Sequence, residues 1–206
     1  MEDRKKHWNE VYEKKKATEV SWYEPMPETS LEFINECELE KDSAIIDIGG
    51  GDSFLAEFLL GKGFTNITVV DISEKALERA KERLGEKADE ITWIPADVSE
   101  FTPQKKYDLW HDRAAFHFLT EDKQVGNYLK TVKEAIKPGG RLILGTFSEN
   151  GPGKCSGLEI RQYSIKQMQE LFSDGFTSMN CKNVDHTTPT GGTQNFTFCS
   201  YKRDEN

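Results

Sequence analysis

The chain has few cysteines and no long apolar segment. Its four cysteines are widely spaced and form no CxxC pair, so the sequence predicts neither a zinc or other metal site nor a disulfide framework, and we interpret them as reduced thiols. No apolar run approaches the roughly 20 residues that span a bilayer, so no membrane partner is expected. The first residues, MEDRKKHWNE, lack the apolar core of a secretory signal. A cytoplasmic location is therefore expected.

The chain also has fewer basic than acidic residues. The 27 basic residues are outnumbered by 36 acidic ones, which gives a net charge of -9. Because neutralising phosphates needs a basic surface, this balance argues against a nucleic acid as partner. The length of 206 residues fits one domain with a sizeable core.

Strand and helix signals alternate through the middle of the sequence. Apolar, strand-forming runs occupy 44–48, 67–72, 91–94, 107–111 and 141–147. Between the runs lie helical patterns, including one over 74–84 with Ser73 as N-cap and one through Val125, Leu129, Val132 and Ile136. This alternation predicts a parallel sheet with crossover helices.

The two ends of the chain follow different patterns. Trp8, Val11 and Tyr12 have the spacing of one helix face, and the sequence Thr29-x-x-Glu32 predicts the capped start of a second helix.

After residue 147 a glycine- and proline-rich segment precedes a helix that begins at Ser164, with Gln167 completing a capping box. The runs 176–185 and 194–202 predict a closing antiparallel hairpin. The expected fold is α/β: an open, mostly parallel sheet with helices on both faces and the hairpin at its edge.

The stretch AIIDIGGGDS joins the first strand to the first helix through three glycines. In an open α/β sheet the ligand crevice lies at the carboxyl ends of the strands, next to this turn. A dinucleotide fingerprint would need glycine at position 54, where Phe54 stands. A phosphate-binding P-loop is excluded because the dipeptide Gly61-Lys62 is followed by glycine. The turn therefore predicts a ligand other than NAD or ATP.

Acidic residues end the next two strands. Asp71 has the position to accept hydrogen bonds from both hydroxyls of a ribose, and Asp97 to accept one from an adenine amino group. Ile72 and Val98 would cover the faces of the adenine ring. Each aspartate alone is better explained as a helix cap or a turn residue. In register with the D-x-G-x-G turn, the two together predict a site for an adenosyl group without a pyrophosphate.

These motifs resemble those of the class I S-adenosylmethionine-dependent methyltransferases. "DIGGGDS" is similar to the family's first motif, "VVDIS" to its acidic ribose motif, "PADV" to its adenine motif, and "YDLWHDRAAFHFLT" to the segment after the fourth strand. The resemblance extends to "SWYEPMPETSLEFI", "KPGGRLILGTFSENGPGKCSGL" and the closing hairpin. It is closest to small prokaryotic single-domain members that carry a Trp-His-Asp-Arg segment. One departure is Ser53, where many members have a third glycine.

The resemblance implies a Rossmann-like fold with a seven-stranded sheet and one domain over 1–206. Within it, 1–40 would form an N-terminal helical arm and lid, 41–147 the cofactor-binding core, and 148–206 a substrate loop, helix and closing hairpin. The implied cofactor is S-adenosyl-L-methionine, with S-adenosyl-L-homocysteine as product. The residues assigned to its binding are Asp47, Gly49, Gly50, Gly51, Asp71, Ile72, Asp97, Val98 and Trp110.

The end of the fourth strand would face the methyl group, so His111, Asp112 and Arg113 are the candidate catalytic residues. His111 is suited to accept a proton, Asp112 to hold an amine or orient the histidine, and Arg113 to grip a substrate carboxylate or an internal aspartate. The alternative is that Trp110 and these three residues form an internal hydrogen-bonded turn. His117 is expected to be a packed or partly exposed helix residue instead.

Four more residues are assigned to the substrate or to a lid. Trp22 and Tyr23 either shield the sulfonium by cation-π attraction or anchor the N-terminal arm in the core. His186 and Gln194 flank the tip of the hairpin, where a polar recognition role is expected. The long connection 148–163 favours a substrate loop.

The sequence therefore predicts an enzyme that transfers a methyl group to a small-molecule acceptor by in-line displacement. A protein lysine methyltransferase and a non-catalytic S-adenosylmethionine-binding protein are the alternatives. An NAD-dependent oxidoreductase is opposed by Phe54. A monomer or a weak homodimer is expected.

Overall fold

A computed structural model describes residues 2–205 of the chain. Its helices are α1 Glu2–Lys14, α2 Glu28–Asn35, α3 Leu55–Gly61, α4 Glu74–Leu84, α5 Asp122–Ala135 and α6 Ile165–Leu171. Short 3₁₀ turns occupy Ala17–Glu19, Gly85–Glu90 and Phe116–Phe118. The strands are β1 Ile45–Ile48, β2 Ile67–Asp71, β3 Ile91–Pro95, β4 Tyr107–Arg113, β5 Ile136–Phe147, β6 Lys154–Cys155, β7 Leu158–Glu159, β8 Phe176–Thr187 and β9 Thr193–Arg203.

Seven strands form one sheet in the order β3-β2-β1-β4-β5-β9-β8. Strands β1 to β5 are parallel, while β9 runs antiparallel to both β5 and β8. This arrangement confirms the predicted Rossmann-like sheet with a C-terminal antiparallel hairpin. Strands β6 and β7 form a separate small hairpin within the connection 148–163, which the sequence did not predict.

Side chains alternate between the two faces of the sheet, and each face has its own core. On β1, Ile46 and Ile48 pack with apolar residues of α5 and α6, whereas Ile45 packs with residues of α2 and α3. Asp47 points to the same face as Ile45, because successive strand residues alternate. The polar residue that opens the glycine turn therefore lies on the α2 side of the sheet.

The predicted caps of two helices are present. Ser73 accepts a hydrogen bond from the backbone N–H of Ala76 at 3.2 Å and so begins α4. At α6, the Ser164 hydroxyl accepts from the N–H of Gln167 while the Gln167 side chain accepts from the N–H of Ser164. These reciprocal bonds satisfy backbone donors that the first turn of a helix leaves unpaired.

Three predicted boundaries were wrong. Helix α2 begins at Glu28, with Pro27 before it, so Thr29 lies inside the helix and caps nothing; proline's restricted φ suits a helix start. Ile136 ends no helix but begins β5. Strand β4 continues past His111 to Arg113, which changes where the side chains after His111 point.

The expectation of four reduced thiols was also wrong. Cys181 and Cys199 form a disulfide between β8 and β9. The two residues are direct partners in the ladder, with Cα atoms 4.2 Å apart. Their separation in sequence gave no sign of this pairing, because it depends on the strand register. Cys37 and Cys155 are free and buried.

Among residues 2–205, no helix combines the length and apolarity needed to cross a bilayer.

Candidate active site

A cavity opens where β1, β2, β3 and β4 end, under the N-terminal segment of the chain. Its walls include the residues that follow these strand ends and several aromatic rings of the N-terminal segment. Of the residues assigned to the site from the sequence, those that line it are Trp22, Tyr23, Asp47, Gly49, Gly50, Asp71, Ile72, Asp97, Val98, His111 and Arg113. Gly51, Trp110, Asp112, His186 and Gln194 are not among its lining residues.

The glycine turn leaves β1 in a conformation that side chains disfavour. Gly49 has φ +67°, and an added β-carbon would lie 2.8 Å from the β-carbon of Ala115. Its backbone N–H donates to the carbonyl of Val70 at 2.8 Å, which ties the turn to β2. The turn is therefore held at the strand ends with its backbone facing the cavity.

Asp71, at the end of β2, presents a buried carboxylate to the cavity. Its side chain accepts from the backbone N–H of Ser73 at 2.7 Å, and the residue is 7% exposed. Burial raises the pKa of Asp71 to about 7, against the lowering effect of the Ser73 N–H, and the nearby charge of Asp47 adds to the rise. A ligand that donates hydrogen bonds to this carboxylate would stabilise its ionised form.

Asp97 combines a turn role with a place in the cavity wall. Its Oδ1 accepts from the backbone N–H and the hydroxyl of Ser99, at 2.9 and 2.8 Å. Its Oδ2 lies 3.8 Å from Nη1 of Arg4, on α1. Ile72 and Val98 line the cavity beside it. One carboxylate oxygen of Asp97 thus stabilises the turn by accepting hydrogen bonds, and the other faces the N-terminal helix α1.

Asp47 and His111 meet across neighbouring strands. They are register partners on β1 and β4, and Oδ1 of Asp47 lies 2.7 Å from Nδ1 of His111. The other ring nitrogen, Nε2, lies 2.9 Å from the hydroxyl of Ser30 on α2. Asp47 and His111 are each 2% exposed and Ser30 is 1% exposed. A carboxylate, an imidazole and a hydroxyl therefore form a buried chain of hydrogen bonds in the cavity wall.

The alternation of β4 divides the Trp-His-Asp-Arg segment between the two faces of the sheet. Trp110 lies in the opposite core, where its Nε1–H donates to the hydroxyl of Tyr128 at 3.0 Å. Its assignment to the cofactor site is contradicted by this placement. The predicted strand ends at His111, whereas β4 continues to Arg113.

Asp112 is likewise turned away from the cavity. It accepts hydrogen bonds from the hydroxyl of Tyr128 at 2.8 Å and from the backbone N–H groups of Ala115 and Phe116 at 3.0 and 3.1 Å. Burial raises its pKa to about 6, while these donors lower it. Asp112 therefore organises the turn after β4, and its proposed catalytic role is contradicted. The internal hydrogen-bonded turn was the correct alternative for this residue.

Arg113 returns to the cavity face and contacts the N-terminal segment. Its Nη2 lies 2.9 Å from the carboxylate of Glu24, and its Nη1 donates to the carbonyl of Trp22 at 3.1 Å. The guanidinium also lies 5.1 Å from the ring centroid of Phe196. Arg113 thus binds groups of this chain, and its internal carboxylate partner is Glu24 and not the aspartate that the sequence suggested.

His186 lies behind Glu24 and not in the cavity wall. Its Nδ1 is 3.2 Å from the Glu24 carboxylate and its Nε2 is 2.7 Å from the carbonyl of Ser21. Burial alone would raise the pKa of Glu24, but His186 and Arg113 lower it overall. Gln194 is the strand partner of His186 on β9. His186 therefore holds the segment 21–24, and neither His186 nor Gln194 lines the cavity.

Aromatic rings cover the cavity from the N-terminal side. Trp8 packs edge to face on Trp22 and on Phe118, with centroids 5.6 and 5.1 Å apart, and all three rings line the cavity. Tyr23 packs on Phe54 in the same way at 5.9 Å. Trp22 and Tyr23 thus line the cavity and anchor the arm at once.

His117 is packed, as the sequence suggested. It is completely buried and stacks on Phe147, with ring centroids 4.7 Å apart. Burial, with a smaller contribution from Arg113, lowers the pKa of His117 to about 3. The residue is therefore neutral and takes no part in the cavity. Residues 2–205 contain no group of three His, Cys, Asp or Glu side chains placed to hold a metal ion.

Several contacts of the site were absent from the sequence interpretation. Ser30 is 81 positions from His111, and no motif links the two. Glu24 follows Tyr23 directly but carried no motif of its own. Asp52, in the glycine turn, pairs with Arg79 at 2.8 Å and with Arg83, both on α4. Arg79 and Arg83 are four positions apart and so lie on one face of α4. This spacing is the one sequence feature that is consistent with a shared partner.

Comparisons with known proteins agree with this geometry. A family model described as a methyltransferase domain matches residues 46–142. The chain is 31% identical over 138 residues to malonyl-[acyl-carrier protein] O-methyltransferase 2 of Ilyobacter polytropus, covering 66% of this chain and 49% of that protein. It is also 31% identical over 147 residues to malonyl-[acyl-carrier protein] O-methyltransferase of Priestia megaterium, covering 70% and 48%. The matches thus span about half the length of these relatives.

The fold is shared with solved structures at lower identity. A SAM-dependent methyltransferase from Anabaena variabilis superposes with a TM-score of 0.75 at 16% identity, covering 98% of this chain and 94% of that one. At this identity the likeness concerns the fold alone. It includes the N-terminal segment and the closing hairpin, since nearly the whole chain is covered.

Proposed function

We propose that this chain, which belongs to the class I S-adenosylmethionine-dependent methyltransferase family, uses S-adenosylmethionine to methylate a small-molecule acceptor. The observation that carries the proposal is the pair formed by the glycine turn and the Asp71 carboxylate. A ribose with two free hydroxyls supplies two donors to that carboxylate. The matches cover only about half of each relative. The activity of those relatives is therefore a proposal for this chain.

The charges around the turn fit this cofactor and oppose NAD. Asp47, Asp71 and Asp97 place three carboxylates in the cavity wall. Carboxylates favour a ligand that carries a sulfonium and an ammonium, and they repel a pyrophosphate. Phe54 also lines the cavity where a dinucleotide fingerprint would have glycine. The residues present therefore suit an adenosyl cofactor without phosphates.

Bound S-adenosylmethionine supplies a methyl group on a positively charged sulfur. The neutral thioether that remains after methyl transfer is a good leaving group. The chain's residues would then orient the acceptor and exclude water. Asp71, Asp97, Ile72 and Val98 would hold the adenosyl group, while the turn after β1 would face the methionine part. The rings of Trp8, Trp22 and Phe118 would cover the reacting atoms. We assign the segment 17–27 to a lid, supported by its contacts with Arg113 and His186.

A small acceptor is favoured over a protein because the lid and α1 cover the cavity. The experiment uses S-adenosylmethionine labelled in the methyl group, added to the purified protein with a metabolite extract or with a protein extract of the source cells. Label in low-molecular-weight products, absent with an Asp71→Ala variant, is the expected result. Label on polypeptides alone would support the lysine methyltransferase alternative. Tight cofactor binding with no label in either extract would support a non-catalytic binding protein.

A further inference from the structure

We infer that the acceptor is a primary or secondary amine, and that Ser30, His111 and Asp47 form the relay that removes its proton. This inference rests on the proposed function and adds the class of acceptor. Nothing in the family model or in the matched relatives assigns these roles to the three residues. The relatives with the highest identity reported above are O-methyltransferases, so the inference also separates this chain from them in acceptor chemistry.

The geometry of the three residues fixes the direction of proton transfer. With a carboxylate 2.7 Å from Nδ1, a neutral His111 ring carries its proton there, and Nε2 is left as an acceptor. The Ser30 hydroxyl, 2.9 Å from Nε2, then donates to it. Ser30 also lines the cavity, and its oxygen keeps lone pairs free to accept a proton. The order of contacts matches that of serine hydrolases, where the histidine takes up the serine proton.

The charges beside the relay favour a cation. Glu24 and Asp47 line this part of the cavity, together with the aromatic face of Trp22. The cation nearby, Arg113, already lies 2.9 Å from the Glu24 carboxylate. Glu24 and Arg113 neutralise each other, so the charge of Asp47 remains, and it would repel an acceptor carboxylate. An ammonium would be attracted by the same groups.

A relay is also needed only by some acceptors. Carboxylates and readily ionised thiols reach a site near neutral pH without a proton that must be lost. An amine reaches it as an ammonium, whose nitrogen has no lone pair for attack. A relay of three buried polar residues would therefore remove the proton that an amine acceptor must lose. A carboxylate acceptor would not need such a relay.

Loss of a proton from the acceptor precedes methyl transfer. One N–H proton of the ammonium passes to Oγ of Ser30 while the Ser30 hydroxyl proton passes to Nε2 of His111, and Asp47 stabilises the resulting imidazolium. The freed lone pair of the acceptor nitrogen forms a bond to the methyl carbon. The carbon–sulfur bond breaks, and its electron pair stays on the sulfur. The product leaves as a methylated ammonium, and the relay releases its proton to solvent.

The acceptor class is tested with S-adenosylmethionine carrying a ¹³C methyl group. The full chain is incubated with a metabolite extract of the source cells and, in parallel, with 2-phenylethylamine, 2-phenylethanol and phenylacetate, which differ only in the polar group. We expect labelled N-methyl products, identified by their carbon chemical shift. Label only in O-methyl or S-methyl products, or none in any mixture, would overturn the amine assignment. The proposed function itself fails separately if S-adenosylhomocysteine does not bind the same preparation.

The relay is tested by Ser30→Ala and His111→Gln variants, with Ser30→Thr as the variant that keeps a hydroxyl. We expect the first two to lower kcat by about 10²- to 10⁴-fold, while Ser30→Thr recovers part of it. The Ser30→Ala rate should rise more steeply with pH than that of the parent, because only the free amine then reacts. Ser200→Ala is the control, since Ser200 is a buried serine on β9 that does not line the cavity. Unchanged kcat and pH profile in Ser30→Ala, with S-adenosylhomocysteine binding intact, would overturn the relay.

Discussion

A β-carbon added to Gly51 would lie 2.5 Å from Oδ2 of Asp71. The added carbon would also lie 2.8 Å from the β-carbon of Ala76 on α4. The glycine turn is therefore shaped by the carboxylate at the end of the next strand as much as by the ligand. Backbone and carboxylate together form the wall to which we assign the ribose.

The first prediction follows from that contact. Gly51→Ala should push the Asp71 carboxylate out of place and weaken S-adenosylhomocysteine binding by at least about tenfold, a loss of about 1.4 kcal/mol. Calorimetric titration measures the change. Gly61→Ala is the matched control, because no atom lies within 4 Å of an added β-carbon there. Equal affinity in the two variants would show that the contact does not shape the site.

The second prediction concerns pH. The pKa of Asp71 is raised to about 7, and a ribose that donates hydrogen bonds prefers the ionised carboxylate. Affinity for S-adenosylhomocysteine should therefore be full above about pH 8 and fall as pH drops through 7, by up to about tenfold per pH unit below it. An Asp71→Asn variant should bind weakly at all pH values in the same titration, without this dependence. A parent affinity that is flat between about pH 5.5 and 8 would contradict the assignment.

The third prediction separates structure from catalysis at Asp112. Asp112→Ala leaves the backbone N–H groups of Ala115 and Phe116, one part-buried and one buried, without their acceptor, and we expect a loss of about 2 to 5 kcal/mol in the free energy of unfolding. Tyr128→Phe removes the donor to Asp112 and the acceptor of the Trp110 Nε1–H but keeps both backbone bonds, so its loss should be smaller, about 1 to 2 kcal/mol. Urea unfolding measures both. A stable Asp112→Ala protein with a large fall in kcat would restore the catalytic role.

The fourth prediction concerns the bond between Cys181 and Cys199. The unreduced, denatured protein should show two reactive thiols, those of Cys37 and Cys155, and two more after reduction. Because the bond closes a loop with a sequence separation of 18 residues, a Cys181→Ser variant should unfold with about 3 kcal/mol less free energy. Four reactive thiols before reduction would contradict the bond between Cys181 and Cys199.

The sequence predicted best the features that local order determines. Alternating apolar runs predicted the parallel sheet, and acidic residues at strand ends predicted the positions of Asp47, Asp71 and Asp97. The same reasoning failed at the Trp-His-Asp-Arg segment. For Asp112 the misplaced strand end hid the alternation that sends it to the opposite face, whereas Trp110 lay inside the predicted strand and the alternation was not applied to it.

Other contacts depend on the folded chain. Ser30 meets His111 only because α2 packs over β1 and β4, and Cys181 meets Cys199 only because the hairpin register sets them opposite each other. Glu24 belongs to no recognised motif, and its position is set by contacts with Arg113 and His186. Long-range partners of this kind leave no local pattern in a single sequence.

The most direct test of the central claim is calorimetric titration of the parent protein with S-adenosylhomocysteine and with NAD, repeated with an Asp71→Ala variant. Saturable binding of S-adenosylhomocysteine alone, lost in the variant, is the predicted result. Absence of that binding, or a preference for NAD, would contradict the assignment of the cavity to an adenosyl cofactor without phosphates.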